Sequence, residues 1–246
     1  MKRSSILFAL VTLALLSYAF YQGMFVAPTE ATMGDVQRIF YYHLPHAWVA
    51  FLLFFTNFLA SIWYLIRRSE RSDALALASA EVGVVFCTVV LVTGPLWARP
   101  VWGIWWTWDA RLTSTLVLWL IYVSYLVLRR FVTGGQTQVL AAALAIFGFI
   151  DVPIVYLSIR YFRTQHPQPV IGGGEGSGLD PRMWIAVLWN LAGFLALAVL
   201  LVRLRYSLAL AENALEEAHA SRALAPQQAE GGPAADPALK LGDKSR

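Results

Sequence analysis

Residues 101–114 read Val101-Trp102-Gly103-Ile104-Trp105-Trp106-Thr107-Trp108-Asp109-Ala110-Arg111-Leu112-Thr113-Ser114, with four tryptophans in seven positions and then an aspartate and an arginine. Read as a helix, the stretch places Trp102, Trp105 and Trp106 on one face, because residues three and four apart are neighbours there. Gly103 has no side chain and lets a ligand or another backbone approach closely. The product is a broad apolar shelf with an ionic edge, which suits a large planar ligand better than a small metabolite. An aromatic belt at a membrane interface accounts for one or two tryptophans. It does not ask for four together, nor for Asp109 and Arg111 beside them. Three of the four histidines, His43, His46 and His166, flank this stretch, and His219 lies far off in a polar tail. Neutral imidazole is the commonest metal ligand among side chains.

The pattern Trp102-Gly103-x-Trp105-Trp106-x-Trp108-Asp109 resembles the tryptophan-rich "WWD" signature of haem-handling membrane proteins in cytochrome c biogenesis. Length points to the haem exporter protein C branch. Arg38-Ile39-Phe40-Tyr41-Tyr42-His43-Leu44-Pro45, and Asp151-Val152-Pro153-Ile154 followed by His166, are similar to that family too. The likeness runs from about residue 5 to 205 and leaves out the C-terminal tail. A planar ligand beside two imidazoles suggests haem, whose iron takes imidazole axially. The resemblance implies haem b with His43 and His166 as axial ligands, and Trp102, Trp105, Trp106, Trp108 and Asp109 as the binding motif. His46 departs from the family pattern, which usually has a small residue there; it is either an interface residue or a substitute ligand. Haem propionates need cations, and arginine pairs bidentately with carboxylates. Arg38 and Arg111 are placed for this, or else for phospholipid headgroups. Asp109 has three open roles: pairing with Arg111, orienting a histidine, or capping the following helix.

The elements that must position these residues follow from composition. The 246 residues are 58% hydrophobic and 14% charged, an integral membrane profile. Apolar runs lie near 5–22, 46–67, 77–97, 113–130, 138–157 and 183–203, each about long enough to cross a bilayer, which takes roughly 20 residues. The N-terminal run exceeds a usual signal-peptide core and no Ala-x-Ala site follows it, so it reads as a retained span. The expected fold is an all-α integral membrane protein with six transmembrane helices and a tryptophan-rich periplasmic loop, the 101–114 segment, between helices 3 and 4. Residues 1–205 form the haem-handling membrane domain. Residues 206–246 form a cytoplasmic tail, with a short helix from Ala211 to Leu224 and disorder from Pro226 onward. The segment Gly172-Gly173-Gly174-Glu175-Gly176 reads as flexible. Asp180-Pro181 reads as cap and first residue of the last span. Asp151 precedes Pro153, which breaks backbone hydrogen bonding, and has a local structural role in this reading.

Function is bounded from several sides. The formal net charge of +4 is modest and its cations lie between apolar runs, so the partner is the lipid bilayer and not nucleic acid. The single cysteine, Cys87, forms no internal disulfide and no Cys-x-x-Cys-His is present, so the chain is not itself a c-type cytochrome. Gly-x4-Gly-Lys-Ser/Thr is also absent. The resemblance implies a haem-binding and haem-transfer component rather than an enzyme, with any ATP hydrolysis left to partner subunits. Those partners are the periplasmic haem chaperone of cytochrome c maturation, the pathway's ABC-transporter subunits and a small single-span accessory membrane protein. A cytochrome b-like electron carrier is the alternative, but it holds haem between spans with histidines inside helices, and here only His46 touches a predicted span. An aromatic-gated small-molecule transporter is another, but the spans lack a midplane polar cluster.

Arginine and lysine set the orientation. Lys2, Arg3, Arg67, Arg68, Arg71, Arg129, Arg130, Arg203 and Arg205 flank one side of the six runs; Arg38, Arg99, Arg111, Arg160, Arg163 and Arg182 flank the other. The excess puts both termini in the cytoplasm of a bacterial cell, with the chain in the cytoplasmic (inner) membrane. Reporter fusions at Gly34, Gly103 and Gly173 should then score as periplasmic, and fusions at Ser69 and Gly134 as cytoplasmic. A cytoplasmic signal from Gly103 would reverse the arrangement.

Overall fold

The computed structural model describes residues 3–132, 136–167 and 178–230. Six of its helical segments are long and apolar enough to cross a membrane: Arg3–Val26, Asp35–Arg67, Glu70–Trp102, Ala110–Phe131, Thr137–Tyr161 and Pro181–His219. The protein is therefore a six-span helical membrane protein. Its α-helices are α1 (Arg3–Tyr21), α2 (Phe40–Arg67), α3 (Glu70–Trp102), α4 (Ala110–Phe131), α5 (Thr137–Phe149), α6 (Asp151–Tyr161) and α7 (Pro181–Glu230). The fifth span is α5 and α6 together, meeting at Ile150. Pro153 supplies no N–H for the carbonyl four residues back, at Phe149, so the ladder is interrupted where α5 ends. Large apolar side chains such as Leu10, Leu52, Val92 and Ile154 face outward, as lipid-facing positions must.

Inside the bundle the contacts rest on small residues, which let helices approach closely in the absence of a hydrophobic drive between them. Ala76, Ala78, Ala80, Ala141 and Ala145 are buried. Gly83 on α3 lies under Phe54 of α2, and Phe54 in turn stacks on Tyr122 of α4 with ring centroids 3.8 Å apart. Buried polar side chains add hydrogen bonds to helix carbonyls. Asn57 Nδ2 donates to Ala76 O at 2.7 Å, and Asn190 Nδ2 donates to Ala19 O at 3.1 Å and Ala186 O at 2.9 Å, tying α1 to α7. At the end of the bundle away from the tryptophans, Arg129 binds both oxygens of Asp73 at 2.6 Å, joining α4 to α3. Arg205 binds Glu81 Oε1 at 3.1 Å and Glu212 Oε2 at 3.0 Å.

Three local expectations change. Helix α2 starts at Phe40, ahead of the run expected from residue 46, so His43 lies inside the span together with His46. The tryptophan stretch is not helical beyond Trp102. Gly103 takes a left-handed conformation at φ 78° and its N–H bonds to Arg99 O at 3.0 Å, the glycine stop of a helix C-terminus. Trp105 and Trp106 therefore do not continue the face of Trp102. Beyond Arg205, α7 runs on to Glu230 in place of a separate short helix; alanine, leucine and glutamate in that stretch are strong helix formers. The Gly172–Gly176 segment, Gly134 and the tail past residue 230 lie outside the described residues.

The packing under Phe54 gives a stability test. A Cβ on Gly83 would sit 2.7 Å from Phe54 Cε1, and Phe54 is held by its stack on Tyr122. Gly83→Ala should cost about 1–3 kcal/mol by overpacking. Gly94→Ala, whose Cβ would lie 3.6 Å from His43 Cε1, meets ordinary contact and should leave stability unchanged or higher. Thermal unfolding in detergent compares the two.

Candidate ligand-binding site

At the tryptophan end the bundle opens into a partly solvent-open cavity of about 80 Å³, set within about 790 Å³ of empty space that includes open solvent. Helical periodicity builds its walls. Helix α2 contributes His43, Ala47, Ala50 and Phe51, one stripe at i, i+4, i+7 and i+8. Helix α3 contributes Cys87, Val90, Leu91, Gly94 and Ala98 on a matching stripe, with Trp97 and Trp102 above. Arg111, Leu112 and Thr115 come from the start of α4, and Trp106, His166 and Pro167 from the connecting segments. Alanine and glycine where the helices face each other keep the space open, so the lining is apolar except for His43, His166, Arg111 and a few small groups.

The two histidines meet over this space, with ring centroids 6.4 Å apart and planes inclined by 38°. His43 Nδ1 is 2.8 Å from Thr93 Oγ1, and the Thr93 hydroxyl gives its own proton to Val89 O at 2.7 Å. Thr93 therefore accepts, His43 carries its proton on Nδ1, and Nε2 keeps a free lone pair. His166 Nδ1 donates to Pro167 O at 2.9 Å, which fixes the same tautomer. Both rings thus present an unprotonated Nε2.

Asp109 organises the connecting segments. Leu112 N–H donates to its Oδ1 at 3.0 Å, which makes it the N-cap of α4. Thr107 and Thr164 hydroxyls donate to Oδ2 at 3.0 and 2.8 Å. Burial alone would raise its pKa, but these hydrogen bonds outweigh burial and hold the carboxyl below the usual aspartate range. Thr164 Oγ1 also accepts the His166 N–H at 3.1 Å. Arg111 reaches across to α6, where Nη1 donates to Val155 O at 2.9 Å and Tyr156 O at 3.2 Å.

The family profile "CcmC: Heme exporter protein C" matches residues 1–221. The chain belongs to that family. The heme exporter protein C of Bradyrhizobium diazoefficiens is 36% identical over 194 residues, covering 78% of this chain and 73% of that one. Its Escherichia coli K12 counterpart is 31% identical over 203 residues, 80% of each chain. A cytochrome c biosynthesis ccmC-like mitochondrial protein of Arabidopsis thaliana is 33% identical over 189 residues, 77% of this chain and 72% of that one.

Against the residues singled out from the family motif, the structure gathers His43, His166, Trp102, Trp106 and Arg111 around one cavity and sets the others apart. Trp105 and Trp108 are 56% and 76% exposed and do not line it. Arg38 does not line it either. Its Nη1 donates to Gly23 O at 2.9 Å and Ala27 O at 3.2 Å, and its Nε contacts Asp35 Oδ1 at 3.0 Å, so it clamps the connection between α1 and α2. His46 turns away, its ring 4.0 Å from that of Phe194 and its Nδ1 on Tyr42 O at 2.8 Å. Sequence reasoning missed Trp97, which lines the cavity with its ring edge-on to His43 at 6.0 Å. The indole N–H groups of Trp97 and Trp106 are buried without a protein partner. Sequence reasoning also missed Thr93, whose hydroxyl meets His43 Nδ1 at 2.8 Å.

Burial, then the nearby Arg111 cation, lowers the His166 pKa from 6.5 to about 4. The folded protein thus disfavours the imidazolium while the unfolded chain takes up a proton near 6.5. This group contributes no pH dependence above that value, and its contribution to stability falls as pH drops from 6.5 toward 4. NMR titration of ring-labelled, ligand-free protein should show His166 still neutral at pH 5.5. A midpoint at the ordinary value would place His166 away from the cavity in solution.

Proposed function

We propose that this cavity binds haem b, with His43 and His166 on the iron, and that the protein passes the haem on for c-type cytochrome biogenesis. The observation that carries this reading is the pair of imidazoles, each with a free Nε2, separated by 6.4 Å above an apolar, tryptophan-walled space. Two neutral imidazoles this close could both hold one metal. Among the described residues no group of three or more His, Cys, Asp or Glu comes together. A two-donor set suits a metal whose remaining positions are filled by its own macrocycle. Trp102, Trp106 and Trp97 supply apolar walls, and the two orphan indole N–H groups supply donors. Arg111, with Nη1 occupied, has its other nitrogens for a propionate.

In this reading Asp109 supports the site from behind, and Arg38 braces the α1–α2 connection. Trp105 and Trp108, exposed on the same loop, present the occupied site to a partner. That partner is the periplasmic haem chaperone, which places the cavity at the periplasmic face of the cytoplasmic membrane with both termini inside. The pathway's ABC-transporter subunits and small single-span protein complete the assembly and supply any ATP hydrolysis; the chain itself is no enzyme. Residues 1–205 constitute the haem-handling domain. A cytochrome b-like carrier gains from His43 lying in α2, but His166 sits on a segment outside the helices, not on a rigid span.

Removal of an axial imidazole opens a coordination position. The purified wild type should show low-spin haem, and His43→Ala and His166→Ala should each lose haem or change its spin state. His219→Ala should behave as wild type. An unchanged low-spin spectrum in the His43→Ala, His166→Ala double variant would exclude this ligation, with His46→Ala added to rule out a substitute.

A further inference from the structure

The two histidines are held unequally. His43 is built into α2, and its ring is tied through Thr93 to α3. His166 lies past the end of α6 in a segment without regular structure. Its ring bonds to Pro167 O, a neighbour that moves with it and anchors nothing. Its backbone is fixed through two hydrogen bonds in series: His166 N–H to Thr164 Oγ1 at 3.1 Å, and Thr164 Oγ1 to Asp109 Oδ2 at 2.8 Å. The second is charge-assisted and the stronger of the two kinds. Asp109 joins this pair to the tryptophan loop, because its Oδ1 caps α4 and its Oδ2 also takes the Thr107 hydroxyl of that loop at 3.0 Å. The tryptophans from Trp105 to Trp108 immediately precede this carboxylate, and Trp105 and Trp108 stand exposed where a partner can grip them.

We propose that Asp109 and Thr164 are positioning residues forming a latch. Their hydrogen bond makes the presence of His166 over the cavity depend on the conformation of the tryptophan loop. Displacing that loop breaks the bond and withdraws one imidazole, while His43 stays in place. The ligand is thereby loosened by half, at the moment when the loop is engaged from outside. The inference rests on the haem reading for its ligand, but the latch itself is a property of the chain.

Full-length protein in detergent tests both parts. Thr164→Val keeps the shape and removes both hydrogen bonds. Thr164→Ser keeps the hydroxyl. Thr107→Val removes a bond to the same carboxylate that does not lead to His166. Without haem, modification of His166 by diethyl pyrocarbonate, read by mass spectrometry, should rise several-fold in Thr164→Val and stay at the wild-type rate in the other two. With haem, Thr164→Val should retain it through His43, lose most of its low-spin fraction and regain it on addition of imidazole. Thr164→Ser and Thr107→Val should remain low-spin. A wild-type rate of His166 modification in Thr164→Val overturns the latch whatever the haem result. So does an equal rise in Thr107→Val, which would assign the effect to the cap. If the wild type binds no haem while the modification pattern holds, the haem reading fails and the latch stands.

Discussion

The site depends on how the chain turns between α3 and α4. Gly103 ends α3 and Asp109 begins α4, so the backbone between them has no helical ladder of its own. One carboxylate ties this turn to its surroundings, taking the Leu112 N–H at the start of α4 on one oxygen and two threonine hydroxyls on the other. Through Thr164 it also reaches the segment after α6. A glutamate there would push the hydroxyl acceptors outward by a methylene. An asparagine would lose the charge that makes these bonds strong.

A second constraint lies across the cavity. Arg111 is the second residue of α4 and spends one nitrogen on the carbonyls of Val155 and Tyr156. It therefore sets the distance between α4 and α6, from which Val155 and the His166 segment approach the space. The same cation lies near enough to His166 to oppose its protonation. Positive charge, neutral imidazole and apolar walls support one another: burial first, and then the arginine, keeps the ring a Lewis base, and the small residues of α2 and α3 leave the room in which it acts.

Much of this was legible in the sequence, and the rest was hidden for specific reasons. The six spans read directly from apolar run length, because lipid permits little else. His43, His166, Trp102, Trp106 and Arg111 stood out by type. The helical shelf failed because one glycine outranks the periodicity around it: Gly103 stops the helix, and Trp105 turns outward. Arg38 read as a partner for a propionate or a lipid headgroup, since no sequence pattern shows that Gly23 and Ala27 carbonyls await it. Trp97 and Thr93 were invisible as site residues because helix α3 looks like any apolar span until α2 is laid against it. Their roles come from the register of two helices packed face to face, and a single sequence does not print that register.

The asymmetry between the two imidazoles bears on what such a site is for. A protein that keeps its haem gains by setting both ligands on rigid elements, since each then holds the metal without reordering. A protein that must give haem away needs tight capture and easy loss, and equal rigid ligands cannot supply both. Ligand release is limited by the difference in affinity between two conformations, so one ligand must belong to an element with two positions. In the proposed site His43 on α2 is the constant and His166 is the variable, joined to the rest by a threonine and a carboxylate. The tryptophans then divide by exposure into two tasks. Trp102 and Trp106 face inward and retain the ring system, while Trp105 and Trp108 face outward on the loop whose movement would let it go.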